Sequence, residues 1–413
     1  MREQGMKRRL LWVLVVLAVL VVPALSALSA AGAAIPETAR SCVVHGASSP
    51  VAPVAAVGNA APGPWPSKVL VKQAAVQVLD PTTRMAYGLV SESRYSQGPD
   101  RLLAFPLGGA AVRRGPTFGL ADGYALTLTL SQDSLWVGSA AAKGDGPLGP
   151  QLCQVDPRSL HVVRQIHLPA PRPGDAAGLP AELPALVSAG PRGTIWVGYG
   201  STLVHVEILD GSVLATESVP SGTIVSLATD PTRRALYVSL SYPTIDGQMV
   251  DAAVEERAAG SGQVLATTSA TSPVTESVGG GILTALPDGV ATSFRTGMDG
   301  ETVLLGALGL TPIIPPGLGS VENGIVEPPA DVFSWPMDAS TLYASGSLWI
   351  ENERGVLACV DPATGAVRGS EQDRQDGGQI LELLGTENHA HELLASTMGD
   401  EILAITTPSA CRN

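Results

Sequence analysis

The sequence has few aromatic and few charged residues. Phe, Trp and Tyr make up 4% of its 413 residues, charged residues make up 15%, and only four of them are lysines (Lys7, Lys68, Lys72 and Lys143). The formal net charge is −13, so the phosphate backbone of a nucleic acid would meet a repulsive field. We expect no nucleic-acid partner. Apolar residues reach 45%, which is too many for an intrinsically disordered chain.

Sequence signatures of common cofactor and catalytic sites are also missing. The chain contains no G-x-S-x-G, no P-loop and no C-x-x-C. Residues 144–149 spell G-x-G-x-x-G, but Pro147 and the strand that follows do not suit a dinucleotide site. His391-Glu392 begins like H-E-x-x-H, but Ala395 occupies the second His position. We therefore predict no cofactor, no metal ion and no catalytic residue.

The N-terminus has the pattern of an export segment. Basic residues within the first nine positions precede an unbroken apolar run over residues 10–22. Ala31-Gly32-Ala33 offers a cleavage site, so residues 1–33 form a signal peptide, or else an uncleaved apolar helix that anchors the chain in the membrane. Both interpretations place the rest of the chain outside the cytoplasm, in the cell envelope or the extracellular space.

Internal repeats begin after a tether rich in Ala and Pro over residues 34–66. The sequence DPTTRMAY at residues 80–87 recurs as DPTRRALY at residues 230–237, and GSVLAT at residues 211–216 recurs as GQVLAT at residues 262–267. Short runs of β-forming residues separated by turns fill the chain, with no sustained helical period after residue 40. These features predict an all-β propeller over residues 67–413.

A four-strand unit and its repetition predict the number of blades. Residues 124–130, 135–138, 152–155 and 160–168 read as one antiparallel blade, and five further units follow the same order. The last unit, from Gln379, has three strands, and an unassigned β-forming run stands at residues 68–72, before the first unit. If that N-terminal strand completes the last blade, the ring has seven four-stranded blades. The pairing then hides two open strand edges, one on that strand and one on the last unit. Six and eight blades are the alternatives.

The motifs of these units resemble a known superfamily. Leu-Trp-Val-Gly in the second strand, Val-Asp-Pro after the third and Gly-x-Val-Leu in the fourth are similar to the bacterial YVTN, NHL and virginiamycin B lyase-like propellers, over about residues 67–408. The resemblance implies the architecture. It does not imply one activity, because that superfamily includes lyases, lactonases, ligand binders and scaffolds.

Loop lengths indicate which face of the ring carries the function. Turns between the first and second and between the third and fourth strands of each unit are short, whereas the other two kinds of connection hold nearly all the extra length. Long loops on one rim of a rigid scaffold favour binding of a protein, a glycan or a small ligand there, without catalysis. The alternative is a lyase- or lactonase-type enzyme with its site at the mouth of the central channel. The candidate ligand-binding residues on these loops are Arg94, Tyr95, Lys143, Asp145, Tyr242, Asp246 and Trp335.

The four cysteines are Cys42, Cys153, Cys359 and Cys411, and export would place them in an oxidising compartment. Ring closure brings both chain ends to one blade, so it favours a disulfide between Cys42 and Cys411. Cys153 and Cys359 fall in different blades and point in opposite directions, so we expect both to be free buried thiols.

Overall fold

The structure is a computed structural model. No helix among the residues that it describes is long and apolar enough to cross a membrane. The predicted signal or anchor and nearly all of the tether lie outside these residues. The described residues are 65–72, 76–91, 100–108, 110–118, 126–139, 150–169, 185–219, 222–230, 232, 234–243, 249–269, 283–296, 299–306, 340–351, 356–363, 366–372, 380–387, 392–397 and 401–412.

The described chain is all-β apart from one 3₁₀ turn, Ser409–Cys411. The strands, in chain order, are β1 (Ser67–Lys72), β2 (Val78–Asp80), β3 (Met85–Ser91), β4 (Asp100–Pro106), β5 (Arg113–Phe118), β6 (Leu126–Ser131), β7 (Ser134–Ser139), β8 (Gln151–Val155), β9 (Val162–His167), β10 (Leu186–Ala189), β11 (Thr194–Tyr199), β12 (Thr202–Glu207), β13 (Val213–Ser218), β14 (Thr223–Thr229), β15 (Ala235–Pro243), β16 (Met249–Ala258), β17 (Val264–Ser269), β18 (Leu283–Leu286), β19 (Gly289–Thr296), β20 (Asp299–Gly306), β21 (Ser340–Ala344), β22 (Ser347–Glu351), β23 (Val356–Val360), β24 (Val367–Gln372), β25 (Ile380–Glu387), β26 (Glu392–Thr397) and β27 (Glu401–Thr406).

Consecutive strands pair antiparallel into sheets that we call blades 1 to 7. They are β2–β5, β6–β9, β10–β13, β14–β17, β18–β20, β21–β24, and β25–β27 with β1. The first strand of each sheet contacts the first strand of the next, around a closed ring. Six of the sheets are four-stranded blades, rather than the seven that the sequence predicts, because blade 5 has three strands within the described residues. The predicted fourth strand of that blade lies outside them.

The N-terminal strand closes the ring, as the sequence predicts. β1 pairs antiparallel with β27, so that Ser67 lies opposite Ile405 and Lys72 lies opposite Glu401. The Lys68 ammonium lies 2.8 Å from a carboxylate oxygen of Glu392 on β26. β1 therefore supplies the outer strand of a blade whose other three strands come from the opposite end of the chain.

Large side chains and turns of the next blade join neighbouring blades. Trp136, Trp196 and Trp349, all on second strands, are fully buried. The Trp196 indole N–H donates a hydrogen bond to the Ala259 carbonyl, 2.7 Å away in the third-to-fourth turn of blade 4. In the same way the Tyr87 hydroxyl of blade 1 donates to the Pro157 carbonyl of blade 2 at 3.3 Å. Each such turn caps the preceding blade.

Blade 7 has no third-to-fourth turn, because its third strand β27 and its fourth strand β1 come from opposite ends of the chain. The 3₁₀ turn Ser409–Cys411 and Trp65 occupy the place of the missing turn. The Trp65 backbone N–H donates to a Glu371 carboxylate oxygen of blade 6 at 2.8 Å, and its ring meets Trp349 edge-on at 6.0 Å. The Thr406 N–H donates to the Pro66 carbonyl at 2.8 Å, which joins the two chain ends.

A disulfide between Cys359 and Cys411 fastens this 3₁₀ turn of blade 7 to blade 6. The predicted bond between Cys42 and Cys411 is therefore wrong, because the 3₁₀ turn carries Cys411 into the seam where Cys359 of β23 already lies. Gly369 lacks the Cβ that would stand 3.2 Å from the Cys411 sulfur. Cys153 is also disulfide-bonded, so the prediction of free thiols is wrong for both Cys153 and Cys359. Cys42 lies outside the described residues.

Candidate binding site

The strand order separates two rims of the ring. The turn rim carries the first-to-second and third-to-fourth turns of the blades, and the insertion rim carries the other two kinds of connection. The turn-rim connections are short, as in the step from Ser131 to Ser134. The gaps between described strands on the insertion rim are longer, for example from His167 to Leu186 and from Ser269 to Leu283. The predicted contrast between the two faces therefore holds in the strand boundaries.

Six of the seven candidate ligand-binding residues lie outside the described residues: Arg94, Tyr95, Lys143, Asp145, Asp246 and Trp335. The seventh, Tyr242, lies on β15, where it pairs with Val250 of β16. Tyr242, predicted on a loop, thus lies in a strand hairpin that reaches Pro243 and resumes at Met249. The irregular register between Leu240 and Tyr242 marks the start of this extension.

Blades 4 and 5 both project hairpins on the insertion rim. β15 and β16 contain 9 and 10 residues, and β19 and β20 contain 8 each. The equivalent strands β11 and β12 of blade 3 contain 6 each and turn tightly at Gly200. The two longer hairpins belong to neighbouring blades, so they stand side by side on one arc of the insertion rim. Hydrogen-bonded hairpins present their tips more rigidly than irregular loops do.

The inner strands are joined across the blades by Ser and Thr hydroxyls. Ser226 accepts a hydrogen bond from the Leu283 N–H at 3.0 Å, and Ser340 accepts one from the Leu383 N–H at 2.8 Å. Other contacts join hydroxyls to one another, as between Ser188 and Thr229 at 2.7 Å. These bonds satisfy backbone groups on the free inner edges of the sheets. The inner wall of the ring is therefore polar.

Glu382 is an isolated acid on this inner wall. It lies on β25 near the insertion-rim end and pairs across the sheet with Ser396, whose own partner Ile402 packs against blade 1. Within the described residues Glu382 has no hydrogen bond or ion pair, and burial raises its pKa to about 7. The Ser396 hydroxyl is buried and is also without a hydrogen-bond partner there. In the sequence, Glu382 is the one charged residue within Ile-Leu-Glu-Leu-Leu. Loop lengths alone do not point to it.

A second acid at this rim is Asp100, the first residue of β4. Burial raises the pKa of its carboxyl group above the ordinary value. Asp100 lies opposite Ser91, at the open end of the gap that holds Arg94 and Tyr95. Acids at two places on the insertion rim therefore lie in surroundings that disfavour their charged form.

The Asp-Pro turns of the turn rim use their carboxylates locally. Asp156 accepts hydrogen bonds from the N–H of Arg158 at 3.0 Å and from the Ser159 hydroxyl at 2.6 Å, and the second of these is the main cause that lowers its pKa. Asp80 binds the N–H and the hydroxyl of Thr83 in the same way. Such turns order the backbone and leave little for a cation. Across the described residues no three His, Cys, Asp or Glu side chains converge on a metal position.

His205 has a structural role. Its ring stacks on Trp196 at 4.2 Å, and its Nε2 lies 2.8 Å from the Thr194 hydroxyl. Burial lowers its pKa, which favours the neutral ring. A buried, stacked and hydrogen-bonded imidazole is not placed to exchange protons with a ligand.

A closed ring of antiparallel blades defines the class: the protein is a β-propeller. No protein-family model matches the chain, and a search of curated proteins found no match. Among solved structures, a chain from a crystal structure of a mitotic checkpoint complex is 10% identical with a TM-score of 0.55, covering 88% of this chain and 96% of that chain. BamB from Moraxella catarrhalis is 14% identical with a TM-score of 0.46, covering 82% and 84%. At such identities the likeness concerns the fold alone, and the resemblance to YVTN and NHL propellers stays a prediction.

Proposed function

We propose that this protein is an exported propeller that binds a protein, a glycan or a small ligand on its insertion rim and acts as a non-catalytic binding or scaffold module. The observation that carries the proposal is the pair of extended hairpins of blades 4 and 5 on the rim that also holds the long connections. The opposite rim is closed by short turns whose carboxylates bind their own backbone. Binding on rigid projections needs less ordering of the binding surface than binding on irregular loops.

Photo-crosslinking in the native cells tests the proposal. A benzoylphenylalanine residue replaces Asp246 at the hairpin tip of blade 4 or Trp335 between blades 5 and 6, and matched variants carry it at Arg192 and Asp133 on the turn rim. Both turn-rim positions are exposed. We expect a covalent mass increase on irradiation for the insertion-rim variants alone. Adducts of equal yield on both rims, or on the turn rim only, would contradict the proposal.

An enzyme of the lyase or lactonase kind is the second candidate, and Glu382 is the observation that favours it. A carboxyl group with a pKa of about 7 near the mouth of the channel has the acidity of a general acid. The melting temperature of the full chain with added calcium or zinc discriminates between the two functions. Stabilisation that is lost in Glu382→Gln would favour the enzyme, because catalysis in similar propellers uses metal-binding groups at that mouth. An unchanged melting temperature favours the binding module.

A further inference from the structure

We propose that Cys42 is bonded to Cys153, so that the segment before the ring is fastened to the seam between blades 1 and 2. The chain has four cysteines. Two of them, Cys359 and Cys411, bond to each other, Cys153 is disulfide-bonded as well, and none of the described cysteines is free. Cys42 is the one cysteine of the chain that this count leaves as a partner for Cys153.

The position of Cys153 defines where its partner must enter. Cys153 lies in the middle of β8, is fully buried, and packs with Leu102 and Phe118 of blade 1. Its neighbour Leu152 packs towards blade 3, as expected when successive side chains point to opposite faces. The partner sulfur must therefore lie between blades 1 and 2. The Cys359–Cys411 bond likewise lies in a seam, the one between blades 6 and 7.

The outer strands show which way round the ring the segment runs. Apolar side chains on the outer strands of blades 2, 3 and 4 are exposed, with Val163 at 58%, Leu214 at 51% and Leu265 at 54%. Leu70 on the outer strand of blade 7 and Phe118 on that of blade 1 are buried in the seams with the next blade. Blades 7 and 1 are the two blades between Trp65 and Cys153 by the shorter arc.

The composition of the segment suits this path. Residues 43–64 contain no Asp, Glu, Lys or Arg and are rich in Val, Ala and Pro, which suits apolar strand edges. Fully extended they reach about 75 Å, so the length does not limit the path. We infer that this segment takes the shorter arc, past the outer edges of blades 7 and 1.

The bond has a consequence that rests on the proposed export with residues 1–33 retained as a membrane anchor. Cys42 is nine residues beyond Ala33, a distance of at most about 30 Å in an extended chain. The edge of the ring at blades 1 and 2 would therefore face the point at which the chain leaves the membrane. Attachment at that edge leaves the hairpins of blades 4 and 5, farther round the ring, accessible to a partner.

Tryptic mapping of the unreduced full chain tests the bond directly. Each cysteine falls in its own tryptic peptide, residues 41–68, 144–158, 355–368 and 375–412. We expect two linked pairs, 41–68 with 144–158 and 355–368 with 375–412. A free thiol on 144–158, or any other pairing, overturns the proposal. Co-expression of isotopically light and heavy chains identifies bonds between copies, and a mixed light and heavy pair would also overturn it.

A cleavage assay tests the fastening. A site-specific protease sequence is inserted after Ala56, and the cut chain is analysed without reductant. We expect the N-terminal fragment to stay with the propeller in the parent chain and in the control variant Cys359→Ser, and to be released in Cys42→Ser or after reduction. Release from the unreduced parent overturns the fastening. If the propeller is found in the soluble fraction with its fragment retained, the result supports the bond and contradicts the proposed orientation towards the membrane.

Discussion

Loss of the Cys359–Cys411 disulfide is expected to destabilise the ring by about 4 kcal/mol. The two residues are separated by 52 positions, and the bond joins blade 6 to the corner of blade 7 where the chain is interrupted. In the chain-entropy account a closed loop of that length lowers the entropy of the unfolded state by the equivalent of about 4 kcal/mol at 25 °C. The double variant Cys359→Ala/Cys411→Ala removes the bond and avoids an unpaired buried thiol.

The assay is guanidinium unfolding of the full chain, followed by Trp fluorescence. Trp65 and Trp349 meet in this same seam, so the signal reports its opening. The matched control is Ser409→Ala, an exposed position in the same 3₁₀ turn that leaves both sulfurs in place. A loss below about 1 kcal/mol in the double variant would refute the reasoning, because the seam would then be held by packing and strand pairing alone.

Two further predictions concern single side chains. The pKa of Glu382 is raised from 4.5 to about 7 in the folded protein, so the folded state binds more protons than the unfolded state, and the free energy of unfolding should fall by up to about 3 kcal/mol as the pH rises from 4.5 through 7. Thermal unfolding across this range checks it, and Glu382→Gln should flatten the profile; a profile as steep in the variant would assign the dependence to another group. Trp196→Phe should cost about 1 to 2 kcal/mol in urea unfolding, because the Ala259 carbonyl loses its donor. An unchanged midpoint would show that the carbonyl finds another partner.

The repeated parts of the fold could be predicted from the sequence. The Asp-Pro turns and the Trp of the second strand recur at fixed places in a repeating unit, so each copy supports the interpretation of the others. Closure by β1 followed from a count of strands. It required only that one unpaired β-forming run stood before the first unit.

The parts that could not be predicted are those that occur once. The 3₁₀ turn that carries Cys411 into the seam with Cys359 has no counterpart in another blade, so the spacing of the cysteines favoured the wrong partner. The hairpin of blade 4 contains Pro243 and reads as a loop, because strand pairing beyond Leu240 depends on the opposite strand rather than on local residues. Glu382 stands in an apolar run, and the sequence around it does not show that the fold buries its carboxyl group.

The closing pair of strands has a consequence for the order of folding. Ser67 and Ile405 lie opposite each other in the blade, although more than 300 residues separate them in the chain. β1 must therefore wait, with both edges open, until β27 has emerged from the ribosome. A ribosome that stops early leaves a ring that cannot shut and an unpaired strand edge of the kind that proteases and chaperones recognise. The same pairing makes synthesis of β27 a condition for a protected fold.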